Sequence, residues 1–126
     1  MLPYSPLGRG FLSGQLRSAD ELPAYDFRRT LPRFSPENFQ RNLNIVTSVK
    51  AIAEAKNVTA AQIALAWVLA QGDMVIPIPG TTRIRRLEEN AAAADIVLTD
   101  AELDLLNGLA AGVAGERYAD MSWVNR

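Results

Sequence analysis

The feature that most constrains the fold of this chain lies in residues 74–90. Residues 74–78 form an uninterrupted apolar run of strand length, which is typical of a strand covered on both faces of a sheet. A turn with one glycine and two threonines follows, and residues 83–94 repeat apolar side chains at helical spacing, with Ile84, Leu87, Ala91 and Ala94 on one stripe. This order predicts an α/β element with a turn between strand and helix.

Three arginines, Arg83, Arg85 and Arg86, occupy the start of that predicted helix. A helix N-terminus has unpaired N–H groups and the positive end of the dipole, so it already favours an anion. Arginines there oppose the dipole, and a bound phosphate would explain them, which indicates a nucleotide cofactor. The alternative interpretation is a solvated helix face with an Arg85–Glu89 pair, because exposed ion pairs are common and weak.

The remaining elements follow from spacing and capping signals. Capping boxes at Thr59–Gln62 and Thr99–Glu102 open two helices. A helix over residues 37–56, a short strand over residues 2–5, a long surface loop over residues 15–40 and an irregular tail over residues 116–126 complete the prediction. The fold class is therefore α/β, with two parallel strands and several helices. Two strands cannot cover each other's edges and faces, so the chain resembles a piece of something larger.

Composition excludes several classes of function. The chain has 126 residues, 48% hydrophobic and 21% charged, with a net charge of −1, which argues against general attraction to nucleic acid or to an anionic membrane. It has no cysteine and no histidine, so the chain supplies neither a serine–histidine pair nor a zinc site of these ligands. Without an apolar run of ~20 residues or a signal peptide, we expect a cytoplasmic protein.

A second segment, residues 4–14, carries Gly8 and Gly10 beside potential phosphate donors in Ser5 and Arg9. Together with residues 59–67 and 76–90, it closely resembles the C-terminal part of aldo-keto reductases, (β/α)8 barrel enzymes that bind NADPH. The resemblance covers essentially all of residues 1–126, as strands seven and eight with the terminal helices. It implies an incomplete barrel, because a whole one usually needs ~250 residues.

The resemblance implies roles for particular residues in binding NADP(H). Ser5, Leu7, Gly8 and Arg9 would lie along the pyrophosphate and ribose. Around the 2′-phosphate it places Gly80, Thr81, Arg83 and Arg86, and on the adenine amino group Glu89 and Asn90. Residues 20–34 and 116–124 would border the substrate opening, where the candidate wall residues are Tyr25, Phe27, Tyr118, Met121 and Trp123.

The family's catalytic tyrosine, lysine, aspartate and histidine lie on strands before the seventh, and no residue here matches them. The resemblance thus implies an NADP(H)-dependent reductase of aldehydes and ketones, represented by a segment that is inactive alone and has no catalytic residue or metal of its own. The alternative is a non-catalytic NADP-binding or partner-binding module, such as a regulatory subunit or a truncated pseudoenzyme. We expect exposed strand edges and apolar helix faces to favour self-association, a molten state, or pairing with a missing N-terminal barrel half. Nucleic acid and membrane are not expected partners.

Overall fold

The computed structural model describes residues 1–122, which contain four α-helices. We number them α1 (Pro36–Lys56), α2 (Ala60–Leu69), α3 (Ile84–Ala92) and α4 (Asp100–Ala111). Short 3₁₀ turns occupy much of the remaining chain, at Gly8–Ser13, Ala19–Glu21, Phe27–Thr30, Pro32–Phe34 and Ala93–Asp95. None of the helices within residues 1–122 is both long and apolar enough to cross a bilayer.

Side-chain caps fix where three of the helices begin. The hydroxyl of Ser35 accepts a hydrogen bond from the backbone N–H of Asn38, and Pro36 occupies the first position of α1, where its missing N–H costs nothing. Both predicted capping boxes are confirmed, at Thr59–Gln62 before α2 and at Thr99–Glu102 before α4. Each box satisfies two backbone donors that the first helical turn leaves unpaired.

The main core lies between α1, α2 and α4. Ile63 of α2 is completely buried, and Ile52 of α1 and Leu106 of α4 pack in the same cluster. The half-buried Trp67 of α2 packs against this cluster while its indole N–H donates to Asn107 Oδ1 at 2.8 Å. Burying an isoleucine or leucine side chain contributes about 1.5–3 kcal/mol. The burial of Ile52, Ile63 and Leu106 therefore holds the three helices together.

The prediction of a plain surface loop over residues 15–40 is wrong in part. Leu22, Leu31 and Phe34 are buried, and they form a second cluster with Phe39 of α1. The ring of Phe11 meets Phe39 edge to face with centroids 5.0 Å apart. The 3₁₀ turns place these apolar side chains on one side without helical or strand periodicity, which is why the sequence pattern did not reveal a core.

The two predicted strands are not formed within residues 1–122; the structure has an isolated parallel bridge between Tyr4 and Ile78. The N–H groups of Ile76 and Ile78 donate to the carbonyls of Met1 and Pro3 at 3.0 and 3.3 Å. Prolines at positions 3, 77 and 79 have no N–H to donate, which interrupts the ladder on both segments. The expectation of a strand covered on both faces is also wrong, since Ile76 and Ile78 are 58% and 49% exposed.

The apolar stripe of α3 also faces solvent. Ile84 and Leu87 are exposed, while the neighbouring Ala93 is buried against α2. Polar contacts hold α3 to α2: the Gln62 amide donates to the Glu89 carbonyl at 2.9 Å, and the Thr59 hydroxyl donates to Glu89 Oε1 at 2.9 Å. The helix is therefore placed by its polar side, and the described residues leave its apolar side uncovered.

Candidate functional site: an arginine-lined groove

The first wall of the site is the turn that follows Tyr4. Ser5 and Arg9 have left-handed backbone conformations, with φ of 47° and 57°, which residues with a side chain rarely adopt. The Leu7 carbonyl accepts from the N–H groups of Gly10 and Leu12, both at 3.1 Å. Such left-handed residues cost about 1–3 kcal/mol and concentrate at ligand-binding turns. The segment predicted to approach a phosphate thus has a self-supporting, tightly curled backbone.

Within residues 1–122, Arg9 is held by aromatic and backbone contacts. Its guanidinium carbon lies 4.7 Å from the centroid of the Tyr118 ring and 5.9 Å from that of Phe27. Its carbonyl accepts from Arg28 Nη1 at 2.9 Å. Arg28 in turn pairs with Asp26 at 2.7 Å, and this pair lowers the pKa of Asp26 and raises the pKa of Arg28.

The second wall is the turn between Ile78 and α3. The Thr81 hydroxyl accepts from the N–H of Arg83 at 3.1 Å. Arg83 is the N-cap residue of α3, and its side chain makes no capping hydrogen bond. The first N–H groups of α3 are consequently without a side-chain cap, and the helix dipole points its positive end outward here. Both features favour an anionic ligand.

The Tyr4–Ile78 bridge brings these turns together around a groove of about 830 Å³. Eight of the ten predicted site residues line it. They are Ser5, Leu7, Arg9, Gly80, Thr81, Arg83, Arg86 and Asn90. The groove therefore joins two segments that lie more than 70 residues apart in the sequence.

Gly8 and Glu89 do not line this groove. Gly8 faces a different, apolar cavity, and Glu89 points to the start of α2, where it accepts from the Thr59 hydroxyl. The predicted Arg85–Glu89 pair is replaced by a contact of 4.0 Å between Arg86 Nη1 and Glu89 Oε1. Glu89 thus helps to position Arg86, and Arg85 is exposed to solvent.

The charge of the groove has one sign. Among the described residues that line it, the charged side chains are Arg9, Arg83 and Arg86. Guanidinium groups bind phosphate oxygens bidentately, and like charges around one cleft raise the local concentration of anions. The arrangement favours a ligand with more than one phosphate over a neutral ligand.

Several residues that shape the site carry no recognisable sequence signal. Gln15 and Ser13 line the groove, and the Ser13 hydroxyl donates to the Gly10 carbonyl at 2.6 Å. Asn42 is only 3% exposed. Its side-chain Nδ2 donates to the Ala114 carbonyl at 2.9 Å, and its Oδ1 accepts from the Ala114 N–H at 2.8 Å. This clamp fixes the tail that carries Tyr118 to Arg9, and a lone asparagine in a helix has no pattern that reveals such a role.

The predicted wall residues divide into two groups. Phe27 and Tyr118 flank Arg9, whereas the Tyr25 side chain is exposed and Met121 is half-buried in the tail; Trp123 lies outside the described residues. A hydrogen bond between Tyr4 and Tyr118 raises the pKa of Tyr4 and lowers the pKa of Tyr118. The nearby guanidinium of Arg9 also lowers the pKa of Tyr118.

A groove with this charge and backbone is chemically suited to phosphate groups. The aldo/keto reductase family model matches residues 1–111, and the chain belongs to the aldo/keto reductase family. That family implies a (β/α)8 barrel, of which residues 1–122 contain helices and the single bridge described above.

Three relatives show how far the similarity extends. The aldo-keto reductase yakc of Schizosaccharomyces pombe, whose name specifies NADP(+), is 50% identical over 117 residues, which are 91% of this chain and 34% of the relative. The aldo-keto reductase str7 of Strobilurus tenacellus is 48% identical over 96% of this chain and 37% of its own length. A probable aldo-keto reductase of Glycine max is 42% identical over 94% and 34%. The chain thus spans about a third of the length of these relatives.

Proposed function

We propose that residues 1–126 form the C-terminal segment of an NADP(H)-dependent aldo-keto reductase and hold its cofactor. The observation that carries the proposal is the groove, in which Arg9, Arg83 and Arg86 come together with the uncapped start of α3. Family membership and a relative named for NADP(+) support the same conclusion. The proposed reaction of the whole protein is reduction of aldehydes and ketones to alcohols.

The residues present fit a dinucleotide with an extra phosphate. The Ser5–Arg9 turn would bind the pyrophosphate and ribose, with the Arg9 guanidinium oriented by the rings of Tyr118 and Phe27. Thr81, Arg83 and Arg86 would bind the 2′-phosphate. Each charge-assisted hydrogen bond contributes roughly 1.5–3 kcal/mol, which is one to two factors of ten in affinity.

The adenine end of the site is less open than the phosphate end. Asn90 lines the groove and is free to bind the adenine amino group, but Glu89 Oε1 already accepts from Thr59. The second carboxylate oxygen of Glu89 remains as an acceptor, since a carboxylate has about four lone-pair sites. Gly8 would serve by keeping the turn close to the pyrophosphate, because its φ of 58° favours glycine.

When bound, NADPH supplies a hydride to the carbonyl carbon of the substrate. The residues of this chain bind and orient the dinucleotide, and we assign none of them the proton transfer to the carbonyl oxygen. The chain alone is therefore expected to bind NADPH without reducing aldehydes or ketones.

The test is a fluorescence titration of the chain with NADPH and with NADH, followed by an assay of NADPH oxidation with a panel of aldehydes. The proposal predicts saturable binding, a preference for NADPH of at least ten-fold, and no turnover above the background rate. Equal affinity for the two dinucleotides refutes the assignment of the 2′-phosphate site. Turnover by the chain alone refutes the assignment of the proton donor to another segment.

A non-catalytic binding module is the second candidate function. The observation in its favour is the set of exposed apolar side chains at Leu2, Ile76, Ile84 and Leu87, which a protein partner would cover. Co-expression of this chain with an N-terminal barrel half distinguishes the two functions. Recovery of carbonyl reduction favours the reductase, whereas a stable complex that binds NADPH without turnover favours the module.

A further inference from the structure

A second cavity, of about 350 Å³, lies between α1, α2 and α4 and the first residues of the chain. It shares Tyr4, Ser5 and Pro6 with the groove as a common wall. Most of its lining is apolar, with Phe11, Ile45, Val49, Leu106 and Leu109 among the side chains. This volume is at the lower end of small-molecule sites and holds about ten groups of the size of a water molecule or a methylene.

Among the described residues, the charged side chains that line this cavity are Arg33 and Arg117. Arg33 Nε donates to the Gly115 carbonyl at 3.1 Å. The Arg117 guanidinium donates to the Tyr4 carbonyl and lies 4.3 Å from the centroid of the Tyr4 ring. Within the described part of the chain, the buried Arg117 Nε has no hydrogen-bond partner, and a buried donor without a partner is costly.

The positive charges of these two guanidinium groups repel each other. Burial lowers the pKa of Arg33, and the charge of Arg117 lowers it further, while Glu116 acts in the opposite direction. Like charges at the edge of an apolar cavity are unfavourable unless an anion lies beside them. An anionic group here would satisfy the Arg117 Nε and reduce the repulsion between the arginines.

We infer that this cavity binds a medium-chain carboxylate, with its alkyl chain among α1, α2 and α4 and its carboxylate on Arg33 and Arg117. The apolar lining excludes a highly charged nucleotide, and the paired cations select an acid over an alcohol of the same length. The cavity shares the Tyr4–Pro6 wall with the groove but has its own charged side chains, so the inference does not rest on the proposed cofactor function.

The test uses decanoate as the probe and Trp67, which lines the cavity, as the reporter. The chain has two tryptophans, so Trp123→Phe leaves Trp67 as the single tryptophan, and its emission can be excited selectively. We expect a saturable change in its emission, with affinity rising about four-fold for each methylene from hexanoate to decanoate, as ~0.8 kcal/mol per methylene gives. 1-Decanol, which has no carboxylate, should bind at least ten-fold more weakly.

Three variants locate the probe. Arg117→Gln should weaken decanoate binding at least ten-fold, because it removes the charge and the unpartnered donor. Ala64→Leu should also weaken binding, because Ala64 is buried at the cavity wall and the added side chain occupies its volume. The matched control is Arg41→Gln, which removes an exposed arginine of α1 that does not line the cavity. It should bind decanoate as the parent does.

The inference fails if decanol binds as tightly as decanoate, or if Arg41→Gln weakens binding as much as Arg117→Gln. It also fails if saturating NADPH displaces decanoate, since the probe would then occupy the groove. Absence of a saturable signal in a parent that unfolds cooperatively in urea contradicts it as well. If the parent chain binds decanoate but does not bind NADPH, only the cofactor assignment is contradicted.

Discussion

Asn42→Ala tests whether a single buried amide holds the tail of the chain on the site. Asn42 is 3% exposed, and its side chain donates to the Ala114 carbonyl and accepts from the Ala114 N–H. Ala114 is itself buried, so removing the amide leaves one donor and one acceptor without a partner. Each unsatisfied buried group costs about 1–3 kcal/mol, so the two together give an expected loss of about 2–6 kcal/mol in the free energy of unfolding.

The matched control is Asn44→Ala, which makes the same chemical change at an exposed position of the same helix. We expect it to change the free energy of unfolding by less than about 0.5 kcal/mol. Urea denaturation followed by circular dichroism measures both variants, at one chain concentration because association adds to apparent stability. Asn42→Ala should also weaken NADPH binding, since Ala114 leads into the segment that carries Tyr118 to Arg9. Equal stability of the two variants refutes a stabilising role for the hydrogen bonds between Asn42 and Ala114.

Three further predictions concern stability and association. Glu102→Gln should lower the free energy of unfolding near neutral pH, and the difference from the parent should vanish in acid. The hydrogen bond from the Thr99 N–H and the contact with Lys56 lower the pKa of Glu102 below its usual 4.5. The stabilisation by the Glu102 carboxylate is therefore present above pH 4.5 and is lost as the pH falls through the lowered pKa, which urea midpoints measured at a series of acid pH values would record. Gly108→Ala should stabilise the chain by about 0.5–1 kcal/mol, because Gly108 lies inside α4 with open space around it. Gly115→Ala should destabilise the chain, because Gly115 has a φ of 85° and a Cβ there would lie 3.0 Å from the backbone of Arg33. Urea midpoints that move in the same direction for both variants contradict these local geometries. The exposed Ile76 and Ile84 should drive self-association, and sedimentation velocity that shows a concentration-independent monomer with a sharp melt contradicts this.

The helices were predictable from the sequence because their signals are local. A capping box and its flanking apolar residues lie within six positions, so Thr59 and Thr99 mark the starts of α2 and α4 without knowledge of the rest of the fold. Leu106 faces the core as its spacing indicates.

The strands were not predictable because pairing depends on partners outside the local sequence. Residues 74–78 have the composition of a buried strand, but their exposure depends on what lies against them. The same reason accounts for α3, whose stripe at Ile84 and Leu87 is correctly amphipathic but is not covered by the described residues.

The candidate site was predicted to a greater extent than the core. Segments around Arg9 and Arg86 were singled out by residue type and by resemblance, and the structure brings them to one groove. The supporting contacts of that site, such as Thr59 to Glu89 and Asn42 to Ala114, join residues 30 and 72 positions apart. Single polar residues at such separations leave no periodic pattern in a sequence.

The central claim is that Arg86 binds the 2′-phosphate, and the ratio of NADH to NADPH dissociation constants measures this most directly. Arg86→Gln should reduce that ratio by one to two factors of ten, because it removes about 1.5–3 kcal/mol from NADPH binding alone. Arg85→Gln, which removes the same charge one position away and outside the groove, should leave the ratio unchanged. An unchanged ratio in Arg86→Gln, or an equal fall in both variants, contradicts the account.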